Sequence, residues 1–225
     1  VPSALALGDE SFSGGDGTQN APYEISTAQD LVDLAEEVNN GTSYQGKHFR
    51  LTNDINLEGK AWTPIGDRLD RQFLGTFDGN DRTVSGLYVS VTTTPRLYNG
   101  LFGVVGKSNQ PTTAEVKNLR VEGEVFVERV FCAGGVAGFV GYGAKISDCS
   151  FQGTVKTTVD NQATAGYTGG IAGYNFGTIS ECTVLNSDIS GKNQYTTAGG
   201  AVYVAGIVAA NNTGTISEYA VNNST

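Results

Sequence analysis

Gly135-Val136-Ala137-Gly138, followed by Ile146-Ser147-Asp148-Cys149-Ser150-Phe151, recurs along the chain, and that recurrence sets its architecture. The same glycine and apolar cluster stands at Gly100-Leu101-Phe102-Gly103, Gly170-Ile171-Ala172-Gly173 and Gly206-Ile207-Val208-Ala209, with starts 35, 35 and 36 residues apart. Each cluster precedes a β-branched run: Val116 to Val121, Ile146 to Phe151, Ile179 to Val184 and Ile216 to Val221. Aligned on these runs, the apolar residues fall in three columns. Val116, Ile146, Ile179 and Ile216 form the first; Leu119, Cys149, Cys182 and Tyr219 the second; Val121, Phe151, Val184 and Val221 the third. A repeat of this length is one supersecondary unit that buries its apolar face only by stacking on its neighbours.

Each unit reads as three short strands, for example Gly170 to Tyr174, Thr178 to Val184 and Asp188 to Ser190. Parallel strands of one sheet need a crossover, and here the crossover is itself strand, so the chain should close into a prism. The expected architecture is all-β: a right-handed parallel β-helix of about five or six coils, roughly 25 to 30 Å long at the usual strand spacing. Ahead of it, Ser26-Thr27-Ala28-Gln29-Asp30 offers capping groups, and Leu31, Leu34, Ala35 and Val38 recur at helical spacing until Asn39-Asn40-Gly41. One capping α-helix over about 27–39 is therefore expected to cover the first coil. Earlier β segments are read at Lys47 to Leu51, Ile55 to Leu57, Phe73 to Phe77 and Thr83 to Val89, with turns at Asp54, Glu58-Gly59 and Asp78 to Asp81. Residues 1–20, with Gly14-Gly15-Asp16-Gly17, read as a flexible lead-in, and residues 21–225 as a single β-helix domain belonging to a longer chain.

Composition narrows function by exclusion. The 225 residues include 31 Gly, only 16% charged residues and a net charge of −9, a balance unsuited to nucleic acid, which needs clustered Lys and Arg. No apolar run is long enough for a membrane-spanning helix, so no membrane insertion of this segment is expected. The absence of Met marks an excised or processed product, and the opening Val1-Pro2-Ser3-Ala4-Leu5-Ala6 ends in a small-x-small tripeptide of the sort cut by signal peptidase. An exported, extracellular or cell-surface location is expected.

Chemistry-bearing residues are sparse. His48 is the sole histidine, and no H-E-x-x-H or C-x-x-C occurs, so the expectation is no catalytic set and no enzyme. Cys149 and Cys182 share a column and are read as small buried hydrophobes; Cys132 aligns with Tyr167 and Tyr203 and so has no disulfide partner. Asp148, Glu181 and Glu218 also share a phase, with Asn118. Such stacked carboxylates repel unless hydrated or bridged by cations, so this column reads as a hydrated acidic edge, a calcium-bound ladder or, least, a glycosidase pair. Tyr142, Tyr174 and Phe176, which follow successive glycine clusters, and Trp62 in the early coils are candidate sugar-stacking residues, with core packing as the competing reading. Polar loops recur at Val91 to Asn99, Lys107 to Ala114, Thr157 to Thr168 and Lys192 to Gly199; insertions at one phase of a solenoid gather on one face, and this polar loop face is the expected binding face, with ordinary solvated turns as the competing reading.

With its following strand, each of the clusters at 100, 135 and 170 resembles the GLUG-motif repeats of secreted bacterial proteins. Phe77-Asp78-Gly79-Asn80 with Thr83 to Leu87 looks like the opening coil that precedes such repeats, as does Pro22-Tyr23-Glu24-Ile25 leading into the helix. The fourth copy departs, with Ala209 replacing the second glycine. The resemblance implies a module of a bacterial cell-surface or adhesin-like protein, or the non-catalytic part of an immunoglobulin A-specific metallopeptidase. Its partner would be a host or environmental glycan or protein. A carbohydrate-binding or carbohydrate-cleaving β-helix, or a spacer in a secreted peptidase, is the alternative. After the fourth copy an uncovered coil would expose Tyr219 and Val221, so the chain is expected to continue past Thr225 or be shielded there.

Overall fold

The structure, a computed structural model, describes residues 12–92, 97–128, 131–159, 165–193 and 201–222. Three parallel sheets form a β-solenoid. The first runs through Tyr23–Ile25, His48–Leu51, Thr76–Val91, Glu115–Glu128 and Lys145–Val159, then Thr178–Ser180 with Thr183–Asn193, and last Thr215–Ser217 with Ala220–Asn222. The second consists of Tyr98–Asn99, Cys132–Gly134, Gly166–Gly169 and Val202–Ala205. The third consists of Phe102–Val105, Ala137–Val140, Ala172–Asn175 and Val208–Asn211. Four turns carry all three sheets, fewer than the five or six expected. The residues between Asp54 and Gly75 are too rich in turns for full strands. They contribute the two-residue strand Ile55–Asn56, paired in parallel with Val84 and Ser85, and isolated bridges, the parallel ones joining Ala61 to Tyr88, Ile65 to Phe102 and Phe73 to Val105.

The columns read in the sequence are the rungs of the first sheet. Val116 pairs with Ile146, Ile146 with Ile179 and Ile179 with Ile216, all in parallel register. Val121, Phe151, Val184 and Val221 pair likewise. Toward the N-terminus the first column becomes aromatic, through Phe77 and Phe49 to Tyr23. Almost all of these side chains are buried in one continuous core. Burying aliphatic side chains releases about 1.5–3 kcal/mol each, which is what holds successive coils together.

The glycine clusters turn the chain from the second sheet into the third, close over the first. A Cβ at Gly170 would lie 2.1 Å from the Gly206 carbonyl and 2.6 Å from a Val184 methyl. One at Gly135 would lie 2.1 Å from the Phe151 ring. No side chain fits there.

The helix spans Ala28–Asn39, as the periodicity predicts, with Thr27 at its N-cap and a capping box to Asp30. Leu31, Leu34, Ala35 and Val38 are buried against the solenoid core. Residues 12–20 correct the expectation of a flexible lead-in. Ser13 N donates to Glu24 O at 3.1 Å, Glu24 N to Gly14 O at 2.8 Å, and Phe12 packs on Tyr23 and Phe49 with ring centroids 5.0 and 5.4 Å apart. The glycines there permit tight turns, and Phe12 supplies the anchor that a glycine count conceals. Residues 1–11 lie outside the described part. At the other end Tyr203, Val204, Tyr219 and Val221 are exposed.

Candidate functional site

Two columns of large side chains face each other in the angle between the second and third sheets, apart from the main core. Tyr98, Cys132, Tyr167 and Tyr203 stack on the second sheet. Val104, Phe139, Tyr174 and Ala210 stack on the third. The members on the first two of these coils, Tyr98, Val104, Cys132 and Phe139, are buried. Burial, with Cys132 beside it, pushes the Tyr98 phenol up to about 12. The members on the last two coils reach the surface, where Phe131, Tyr142 and Phe176 join them.

The outer rings form a continuous strip. Tyr142 lies 4.8 Å from Phe176, Phe176 5.1 Å from Tyr174, Tyr174 4.9 Å from Tyr167 and Tyr167 5.2 Å from Tyr203, centroid to centroid. Several planes run nearly parallel: 10° between Tyr167 and Tyr203, 17° between Phe131 and Tyr174, 24° between Tyr174 and Phe176. Tyr203 is 49% exposed and the other outer rings are half-buried. The Tyr174 hydroxyl accepts from Asn212 Nδ2 at 3.4 Å. The structure therefore brings Tyr142, Tyr174 and Phe176 together, and adds Phe131, Tyr167 and Tyr203, which sequence reasoning had not joined to them.

Trp62 lies elsewhere. Its indole Nε1 donates to Leu101 O at 3.0 Å, its ring is buried in the main core, and its edge lines an open cleft of about 510 Å³ with Glu36, Asn39, Thr63 and Arg71. It belongs to the seat of the helix, since Asn39 also anchors the adjoining loop by accepting from Gly66 N and Asp67 N. As a sugar platform it is separate from the aromatic strip.

The acidic column has a backbone cause. Asn118, Asp148, Glu181 and Glu218 all adopt left-handed conformations, with φ of 51°, 52°, 54° and 51°. They mark the corner where each first-sheet strand bends, which splits the expected single strand Thr178 to Val184 at Glu181. The carboxylates project outward, one per coil. Asp148, first through a shared hydrogen bond and then through its charge, raises the Glu181 carboxyl above its ordinary value, and Glu218 adds to this. The hollow beside Asp148 holds about 60 Å³, too little for a sugar ring. Among the described residues no group of three or more His, Cys, Asp or Glu side chains is arranged to hold a metal ion, so the calcium-ladder reading of Asp148, Glu181 and Glu218 gains no cage from the geometry. Farther along the same corner, Asp78 is held below its ordinary value: burial raises it, but hydrogen bonds from Asn118, Asn80 N and Arg50 outweigh that.

His48 lies half-buried on the outer side of its strand, opposite Thr76. All three cysteines are free and buried, as their column predicted for Cys149 and Cys182. Three of the four polar loops, those around residues 91–99, 157–168 and 192–199, join the first sheet to the second; residues 93–96, 160–164 and 194–200 within them lie outside the described part. The loop at 107–114 occupies another corner, tied by Lys107 to Tyr142.

These features define a class, a parallel β-solenoid built from glycine-cornered repeats with an aromatic strip on its outside. Residues 130–156, the second copy of the repeat, match the sequence profile described as the GLUG motif. The chain is also similar to a candidate Gly-rich membrane protein of Evansella cellulosilytica, at 35% identity over 50% of this chain and 12% of that protein. It is similar to halomucin of Haloquadratum walsbyi at 32% identity over 48% of this chain and 1% of that protein. The chain thus spans only a small fraction of the curated relatives it matches. Among solved structures, a candidate immunoglobulin A1 protease from Bacteroides ovatus superposes with a TM-score of 0.54 over 93% of this chain and 87% of that one, at 17% identity. That likeness is one of fold. The repeat and the solenoid fit a non-catalytic module.

Proposed function

We propose that this chain is a non-enzymatic module of a bacterial cell-surface protein, adhesin-like, in which a stiff solenoid presents a binding face. The observation that carries the reading is the outer aromatic strip, which crosses successive coils on the outside of a tube whose core is already complete. A rod with one contiguous apolar patch outside its core is built to hold a partner. The relatives' names, a Gly-rich membrane protein and halomucin, support a surface setting. The paucity of catalytic chemistry supports binding without turnover: one half-buried His48, and carboxylates ranged along the axis instead of across a groove.

The test is to display the chain on a non-adherent bacterium and measure attachment to surfaces coated with glycans and matrix proteins, while assaying each coating for cleavage. Attachment without cleavage is expected. Cleavage of any coating by the purified chain would overturn the reading.

A further inference from the structure

We infer that the cleft between the helix and the loop at 61–71 is a binding site for a small zwitterion, an amino acid or a short peptide, with Glu36 taking its ammonium group and Arg71 its carboxylate. The cleft lies at the helix-capped end of the solenoid, and the inference goes beyond the adhesive role without depending on it. The space holds about 510 Å³, within the usual range of small-molecule sites, and Val32, Ala35 and the Trp62 edge give it an apolar lining. Its walls are fixed in advance. Asn39, in the last turn of the helix, donates to Pro64 O at 3.0 Å and accepts from Gly66 N at 3.0 Å and Asp67 N at 2.9 Å, which locks the loop to the helix. A ligand entering here has no loop to order.

Charge selects the ligand. Glu36 on the helix and Arg71 on the loop both line the cleft, both are exposed, and neither forms an ion pair with any described residue. Glu36 also stands where the helix least favours it. The last turn carries no basic residue, and the negative end of a helix dipole stabilises cations and disfavours carboxylates. The neighbouring Glu37 carboxylate accepts from the Tyr44 hydroxyl, whereas that of Glu36 has no partner among the described residues. A cation beside Glu36 satisfies the carboxylate and the helix end together, and the Arg71 guanidinium offers its fork of donors to a carboxylate. An anion alone would be repelled by Glu36 and a cation alone by Arg71, while an apolar molecule would take water from both charges and replace it with nothing. A neutral sugar would need a ring face to stack on, and Trp62, 6% exposed, offers only its edge.

Trp62 is the chain's one tryptophan, so its emission reports on this cleft. Titrations at pH 7 in low salt, followed by emission and by calorimetry, would use glycine, leucine, phenylalanine, lysine, glutamate and glycylleucine, each also as its N-acetyl and amide derivatives, with methyl glucoside as a neutral sugar. At least one zwitterion should bind saturably, and blocking its amine or its carboxyl should weaken binding roughly tenfold or more. Glu36→Gln and Arg71→Gln should each do the same. Both residues are exposed, and Glu36→Gln also relieves the helix end, so an unlowered melting temperature separates lost binding from lost fold. Glu124→Gln, on the first sheet, should bind as the wild type. Tighter binding of a free amino acid assigns the cleft to amino acids, and tighter binding of the dipeptide assigns it to peptide ends. The inference is overturned if no zwitterion binds, if the blocked forms or methyl glucoside bind as tightly, or if the Glu36 and Arg71 variants bind as the wild type does.

Discussion

Glu181 and Asp148 occupy the same left-handed corner on consecutive coils, with φ of 54° and 52°, and Asp148, by accepting a hydrogen bond from the protonated Glu181 carboxyl and by its charge, raises Glu181. Two costs meet here. A non-glycine residue at positive φ is disfavoured unless its side chain is Asn or Asp, and like charges at strand spacing repel. The first coil of the series carries Asn118 at this corner, the residue type that suits the backbone and bears no charge.

Glu181→Asn should therefore stabilise the protein, raising its melting temperature by a few degrees at pH 7 in low salt and by less in high salt. The sign with pH follows from the raised carboxyl. The folded chain binds this proton more tightly than the unfolded chain does, so stability is greatest below the ordinary carboxyl value of 4.5 and declines as pH rises through the folded-state value above it. In Glu181→Asn that part of the decline should vanish. Thermal melts of both proteins between pH 3 and 8 check it, and a variant that melts lower than wild type at pH 7 would refute the argument.

Asp30 anchors the opposite end of the molecule. Its Oδ2 accepts from Ser13 Oγ at 2.8 Å, Ser26 N at 2.8 Å and Thr27 N at 2.9 Å, so one carboxylate both closes the helix cap and ties down the N-terminal segment. Burial raises its pKa, but these hydrogen bonds lower it more, to below the ordinary 3.8. This contribution is present at neutral pH and is lost as pH falls through the folded-state value. Asp30→Ala should cost about 2 kcal/mol at pH 7, and the difference from wild type should shrink below pH 3.8, as urea unfolding at the two pH values would show.

The rungs of the first sheet were legible because period and phase are one-dimensional facts: Ile146 faces Ile179 in space as it does in an alignment of the repeats. The helix was legible through Thr27 and Asp30, whose capping pattern is local. The left-handed corner was not, since Asp148, Glu181 and Glu218 carry no glycine signal and alternate with apolar residues as strand residues do. The aromatic strip was half legible. Tyr142, Tyr174 and Phe176 follow their glycine clusters, but Phe131, Tyr167 and Tyr203 precede theirs. Only the fold-back at each glycine pair brings the two sets together. Trp62 carried the same aromatic signal with no repeat around it, and the helix claimed it.

At Gly170 the corner has no space to yield, because the Gly206 carbonyl and the Val184 methyl belong to two different parts of the neighbouring rungs. Gly170→Ala should destabilise by about 3 kcal/mol, through overpacking alone. Gly41, with φ of 110° and open space around it, is the comparison: its Ala variant meets only the backbone strain and should lose about 1 kcal/mol. Equal losses in denaturant melts would show that crowding is not what keeps the corner glycine.

The three thiols offer a readout of coil opening. Cys132, Cys149 and Cys182 are free and buried, and burial pushes the Cys132 and Cys149 thiols well above the ordinary 9.0. A thiol must ionise and be reached before it reacts, so alkylation in the native protein requires opening. Cys149 and Cys182 sit on adjacent rungs of the first sheet, flanked by the Ile146–Ile179 and Phe151–Val184 pairs, and become reachable only when those rungs part. Cys132 sits between Tyr98 and Tyr167 in the other cluster. Iodoacetamide at pH 8 should therefore modify all three orders of magnitude more slowly than in urea. Mass spectrometry of partly labelled protein should show Cys149 and Cys182 labelled together, with Cys132 on its own schedule. Labelling of either one well ahead of the other would mean that the coils open one at a time, Cys182 first if from the C-terminal end and Cys149 first if from the N-terminal end.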